Sequence, residues 1–230
     1  MHKHIRLSGA VWIAVAAMLT TSSESSAAER LIVRTYNNVG VTADEMSHAR
    51  DVAGVILQGA DLQATWRDCT ANCAEVLGPR ELIVRIVAAP QGIVAESLGC
   101  ALIDLQHRAG TLATVYPDRI NAVASRTGVD TGTLLGRAVA HEIGHLLLGT
   151  TDHSAAGLMR AFWSDRELQR NLTADWTFAP DDVARIGRGL AARGCEACSV
   201  IAHKPRSGPI EKKIDHQAQV RAIIGHHEGI

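Results

Sequence analysis

The run from Val129 to Gly149, VDTGTLLGRAVAHEIGHLLLG, constrains the fold more than any other stretch of the chain. Asp130 or Thr131 can cap a helix at its start, and Gly149 can end one in the left-handed conformation. Between them Leu134, Ala138, His141, His145 and Leu148 line one side. Leu135, Val139, Ile143 and Leu147 line much of the rest. A helix that is apolar nearly all round has no solvent face and lies inside the protein. His141, Glu142 and His145 are carried inside with it, where unpartnered polar groups are costly.

The flanking sequence predicts the layers that cover this helix. LIVRTY (Leu31 to Tyr36) is rich in β-branched and aromatic residues and reads as a strand. Thr42 and Glu45 form a capping-box pair, so a helix begins there. Met46, Ala49, Val52, Ala53, Ile56 and Ala60 continue it at helical spacing. LQATWRD alternates, with Leu62, Ala64 and Trp66 on one face, as a half-buried strand does. ELIVRIVA (Glu81 to Ala88), ALIDL and TLATVY read as three further strands, the last two joined by the short connection QHRAG. After the central helix, APDDVARIGRGLAARG predicts a closing helix. Pro180 suits its first turn, Asp181 and Asp182 favour its positive end, and Val183, Ile186 and Leu190 form its inner face.

Composition is that of a globular chain: 47% apolar and 20% charged residues, with a formal net charge of -1 over 230 residues. No basic stripe exists to neutralise phosphates, so nucleic acid is excluded as the expected partner. MHKHIR, LSGAVWIAVAAML and SSESSAAE match the three parts of an export signal, with cleavage after Ala28. The apolar run is too short for a membrane span of about 20 residues. The expected organisation is a signal peptide at 1–28, one domain at 29–198 and a flexible C-terminal tail at 199–230, where polar residues and prolines replace the apolar pattern. Export places the protein in the periplasm or outside the cell, and there disulfides persist. Of five cysteines, Cys69 and Cys73 form one close pair and Cys195 and Cys198 another. Two local disulfides and a buried free thiol at Cys100 are expected.

His141 and His145 lie four residues apart, on one face of the helix, and can point two imidazoles at one ion. Glu142 is turned about 100° from His141, so it stands beside such an ion without ligating it. This is the physical content of an HExxH sequence: two zinc ligands and a general base. A catalytic zinc takes a third protein ligand and leaves one position for water. The competing reading is a pair of hydrogen-bonded core histidines, which needs several satisfied partners inside an apolar helix.

The stretch from Arg137 to Arg160 resembles the metzincin zinc endopeptidases, whose signature is HExxHxxGxxH followed by a turn carrying a methionine beneath the metal. His141, Glu142 and His145 match directly. Gly149 stands one residue late, and His153 two residues late. Met159, in GLM, stands where the methionine turn would be. The resemblance implies one catalytic Zn2+ held by His141, His145 and His153, with Glu142 as the catalytic base. It also implies an α/β (α+β) fold: a twisted, mostly parallel sheet of about five strands, an active-site helix, a Met-turn and a C-terminal helix. The altered spacing leaves Asp152 and Glu167 as alternative third ligands, ranked after His153 on ligand type. His48 and His107 read as surface residues.

The function implied is zinc-dependent hydrolysis of peptide bonds by an exported monomer that takes a peptide or protein substrate. Substrate would pair with an antiparallel edge strand, for which GTLATVY is the candidate because it precedes the active-site helix most closely. Two rivals share the metal: a non-catalytic zinc-binding exported protein, and a zinc amidase acting on non-protein amides. Glu142 speaks against the first, because a structural site needs no base.

Overall fold

The computed structural model describes residues 28–69, 73–92 and 96–193. Residues 1–27 of the expected export signal, the Cys195 and Cys198 pair and the tail at 199–230 lie outside the described residues. The elements run β1 (Glu29–Asn37), α1 (Ala43–Gln58), β2 (Leu62–Asp68), β3 (Glu81–Ile86), β4 (Gly99–Asp104), β5 (Ala109–Val115), α2 (Pro117–Thr127), α3 (Thr131–Leu148), α4 (Asp165–Arg170) and α5 (Pro180–Arg193). No helix among the described residues is long and apolar enough to cross a membrane.

The strands form one sheet in the order β2-β1-β3-β5-β4. β1 pairs parallel with β2 and β3, and β3 pairs parallel with β5. β4 alone runs antiparallel, as the outer partner of β5. The mixed α/β class and the mostly parallel sheet are as the sequence predicts. The choice of edge strand is not. GTLATVY became β5, an inner strand, and the edge beside it belongs to β4. The reason lies in burial: Ala113 and Val115 of β5 are fully covered, whereas Leu102 of β4 is 62% exposed. A strand covered in that way stays inside the sheet, and its hairpin partner takes the rim.

α1 starts where the capping box predicts. The Thr42 side chain accepts from Glu45 N–H, and the Glu45 carboxylate accepts from Thr42 N–H. Its inner residues Met46, Ala49, Ala53 and Ile56 are buried. α1 packs on β2 and along α3, and α3 packs on β5 and β4. Gly136 lets the two helices meet closely, since a Cβ there would lie 2.6 Å from the Ala49 carbonyl. The other side of β1 carries Arg34, which is buried beneath the segment that follows β2. Its guanidinium donates to the Glu75 carbonyl at 2.8 Å and pairs with Glu81. The Cys69–Cys73 disulfide closes the start of that segment.

Two helices, α2 and the short α4, are absent from the sequence reading. α2 opens with Pro117 and closes on Gly128 in the left-handed conformation, φ 74°. Its buried face is narrow, made of Ile120, Ala124 and Thr127 behind Pro117, and this weak stripe hid it. Cys100 also differs from expectation. Its thiol is free but only partly buried, 3.2 Å from the Tyr116 hydroxyl. His48 and His107 are exposed, as expected.

Candidate metal centre

α3 is capped by Asp130, whose carboxylate accepts from Thr133 N–H at 2.8 Å, and it ends on Gly149 at φ 61°. Glycine adopts that conformation without steric cost. A side chain at 149 would also collide with the Arg108 backbone of the β4–β5 connection. The chain therefore turns sharply after Leu148 and passes back over the C-terminal half of α3. Arg193 of α5 donates to the Leu146 and Gly110 carbonyls, both at 2.7 Å, and so satisfies a carbonyl that the helix end leaves without an intrahelical donor.

His141 and His145 are buried on the face of α3 that this returning chain covers. The Leu158 carbonyl lies 2.9 Å from His141 Nδ1, and the Thr150 carbonyl lies 2.9 Å from His145 Nδ1. A carbonyl only accepts, so each Nδ1 carries a proton and donates it. In the neutral ring the other nitrogen is then a bare acceptor. The two Nε2 atoms lie 3.1 Å apart, lone pair toward lone pair. Protonating either would remove the conflict, but burial opposes it. Desolvation, reinforced by the neighbouring imidazoles, lowers the His141 pKa to about 3 and that of His145 to about 4.

His153 completes the group. Its ring centroid is 5.5 Å from that of His141 and 4.9 Å from that of His145. One ligand atom from each of the three histidines lies within 4.8 Å of the others. The returning segment is fixed at several points: Ser154 N–H donates to the Met159 carbonyl at 2.8 Å, and the Ser154 hydroxyl donates to the buried Asp182 carboxylate of α5 at 2.7 Å. Asp152 faces elsewhere. Its carboxylate accepts from the Thr150 hydroxyl at 2.8 Å, and its N–H donates to that hydroxyl. Glu167 is likewise engaged elsewhere. It closes a capping box on Ser164 at the start of α4 and pairs with Arg160. Among the described residues, the three histidines are the one such group, and neither carboxylate joins it.

Met159 is fully buried beneath α3. A Cβ on Gly144 would meet its sulfur at 2.5 Å and the Phe178 ring at 2.8 Å. The glycine inside HEIGH thus lets Met159 and Phe178 pack closely against α3. Glu142 is buried against the first residue of β4. A Cβ on Gly99 would lie 2.8 Å from its Oε1. Burial alone raises its pKa to about 8.

Several positions at this site escaped the sequence reading, among them the carbonyls of Thr150 and Leu158, Gly99, and Asp182 in its role toward Ser154. Carbonyl contacts leave no trace in residue type. Gly99 left one faint sign, a glycine opening a strand, which often marks a close backbone approach.

No protein-family model matches the chain, and no curated protein matches it. The solved structures similar to it include the following two. One is a zinc-dependent peptidase from Methanocorpusculum labreanum, with 14% identity and a TM-score of 0.43, covering 67% of this chain and 99% of its own. The other is metalloproteinase-II from Bacteroides fragilis, with 14% identity and a TM-score of 0.44, covering 73% of this chain. The likeness spans 55% of that protein's length.

Proposed function

We propose that the chain is an exported, zinc-dependent metallopeptidase of metzincin type. The observation that carries this reading is the pair of bare Nε2 atoms 3.1 Å apart, with His153 beside them. Two buried lone pairs aimed at each other are unfavourable without a cation, and three imidazoles suit zinc. His141, His145 and His153 would hold one ion, with each buried ligand oriented by the carbonyl that fixes its Nδ1 proton. When bound, zinc supplies a Lewis acid and lowers the pKa of a water from 15.7 to about 7.

Glu142 follows His141 directly and sits in a desolvated position against Gly99, the first residue of the edge strand β4. Its carboxylate takes the proton from the attacking water and delivers it to the departing amine nitrogen. β4, not β5, offers unpaired backbone groups along that edge, so an extended peptide would align there by strand pairing. The Cys69–Cys73 disulfide suits an oxidising compartment, in line with the export signal read at 1–28. Within this reading the mature domain spans 29–198, acts as a monomer and carries the tail at 199–230 as an appendage.

The test is metal analysis of the mature chain with cleavage of casein, for the wild type and Glu142→Ala. The wild type should hold one zinc per chain and cleave casein. Glu142→Ala should hold the same zinc and lose on the order of 10²-fold or more in turnover. A zinc-loaded wild type that leaves casein intact would favour the amidase or the non-catalytic protein. A chain without bound zinc removes the proposal.

A further inference from the structure

Beside the histidines stands an aromatic side chain that neither the motif nor the mechanism uses. Trp163 packs edge-on against His141, with ring centroids 5.6 Å apart and planes at 84°. Its Nε1–H donates to the Leu158 carbonyl at 3.3 Å, the same oxygen that accepts from His141 Nδ1 at 2.9 Å. Leu158 N–H in turn donates to the Thr177 carbonyl at 2.7 Å, so the residue is held through both its N–H and its carbonyl.

Trp163 is itself braced. It meets Trp176 edge-to-face at 5.3 Å, and the Arg137 guanidinium lies 3.8 Å above the Trp176 ring. Arg137 sits on α3 four residues before His141, on the same face, and also donates to Asn171. The contacts close a circuit: from α3 through Arg137 to Trp176, to Trp163, and back to α3 at His141. Edge-to-face aromatic pairs and a cation over an indole face are both attractive and direction-dependent.

We infer that Trp163 is a positioning residue for His141: its ring edge sets the plane of the imidazole, and its indole N–H holds the Leu158 carbonyl where it keeps the His141 proton on Nδ1. A carbonyl has two lone pairs, so it serves both donors at once. With the indole gone, the Leu158 peptide is free to tilt and the imidazole to rotate or exchange tautomer. The nitrogen needed as a ligand would then carry the proton for part of the time. This rests on the zinc reading for its consequence, but the tautomer itself exists in the metal-free protein.

The experiment compares wild type, Trp163→Phe and Trp163→Leu. Phenylalanine keeps a ring edge and loses the donor, and leucine loses both. The first readout is imidazole 15N NMR of the metal-free protein. His141 should show a single Nδ1–H tautomer in the wild type and a mixture in Trp163→Leu. The second is zinc affinity by chelator competition. Loss of an outer group that orients a ligand typically costs about 10–100-fold, so Kd should rise about 10-fold in Trp163→Phe and more in Trp163→Leu. Leu190→Ala, a buried change in α5, is the control for general destabilisation. It should lower Tm and leave Kd and tautomer unchanged. If Trp163→Leu does not fold, Trp163→Phe carries both readouts. An unchanged tautomer with an unchanged Kd overturns the inference, as does a Leu190→Ala Kd that rises as much as that of the Trp163 variants. A wild type that binds no zinc yet shows the tautomer change defeats the zinc reading and leaves the positioning role standing.

Discussion

Gly99→Ala should separate metal binding from turnover. A Cβ at this position would stand 2.7 Å from the Thr114 carbonyl, 2.8 Å from Glu142 Oε1 and 2.9 Å from Glu142 Cγ. Contacts that short fall about half an ångström inside normal packing distance. The Thr114 oxygen belongs to β5 backbone, so β4 cannot yield there without disturbing its ladder. The carboxylate of Glu142 is the softer partner, and it must move. Overpacking of this kind costs about 1–3 kcal/mol, which a drop in Tm would register. Displacing a catalytic group by an ångström can cost about 10²-fold in rate. None of the three nearest contacts is a histidine, so zinc should stay at the wild-type level. The assay is casein turnover with metal analysis on the same preparation, repeated in a Glu142→Ala background. If Gly99 acts through Glu142, the double variant turns over no more slowly than Glu142→Ala alone. Two results refute the reasoning: Gly99→Ala with full zinc and at least half the wild-type turnover, or a double variant in which the two losses simply multiply.

Other consequences can be measured directly. His153→Ala should lose most of its zinc, while Asp152→Ala should keep it with weakened activity, because that carboxylate bonds the Thr150 hydroxyl. Metal content of the two variants decides the matter, and zinc lost from Asp152→Ala but kept by His153→Ala would reverse the assignment. In the metal-free protein the depressed pKa values of His141, about 3, and His145, about 4, contribute stability above their ordinary 6.5 that is lost as pH falls. Glu142, raised from 4.5 to about 8, works the other way and loses its contribution as pH rises. For these three groups the opposing slopes cancel near about pH 6.5, so Tm of the metal-free protein should peak close to there. Added zinc should raise Tm at pH 5 as well as at pH 8, because burial keeps His141 and His145 unprotonated in the folded protein at both. A Tm of the metal-free protein that climbs steadily through pH 8 would contradict the buried position of Glu142.

What the sequence showed plainly was whatever short-range chemistry decides. The limits of α3 follow from Asp130 and Gly149, and the start of α1 follows from Thr42 and Glu45, since caps act within one turn. Period-two patterning made β2 legible as Leu62, Ala64 and Trp66. The order of strands was not legible, because pairing joins residues far apart in the chain, and proximity to α3 in sequence says nothing about which strand reaches the rim. α2 was hidden because a helix that leans on the domain with one narrow stripe resembles a polar connection.

The third histidine shows why motif spacing is a looser constraint than it looks. Counted along the chain, His153 stands two residues beyond the metzincin position. Counted in contacts, the loop has little freedom. Its first end is set by Gly149 and by the Thr150 carbonyl, which accepts a hydrogen bond from His145 Nδ1–H. The extra length is folded into a local turn, where the Thr150 hydroxyl accepts from Asp152 N–H and donates to the Asp152 carboxylate. Its second end is fixed one residue past His153, by Ser154 bonded to the Met159 carbonyl and to Asp182. A side chain held between two anchored ends is placed by the anchors, and the residues between them need only span the gap. The inserted residues therefore alter the loop and leave the imidazole within reach of its two partners. The same logic makes Ser154 and Asp182 necessary here: without the second anchor, the longer loop would have more conformations to lose on ordering, and His153 would be the part of the site most easily displaced.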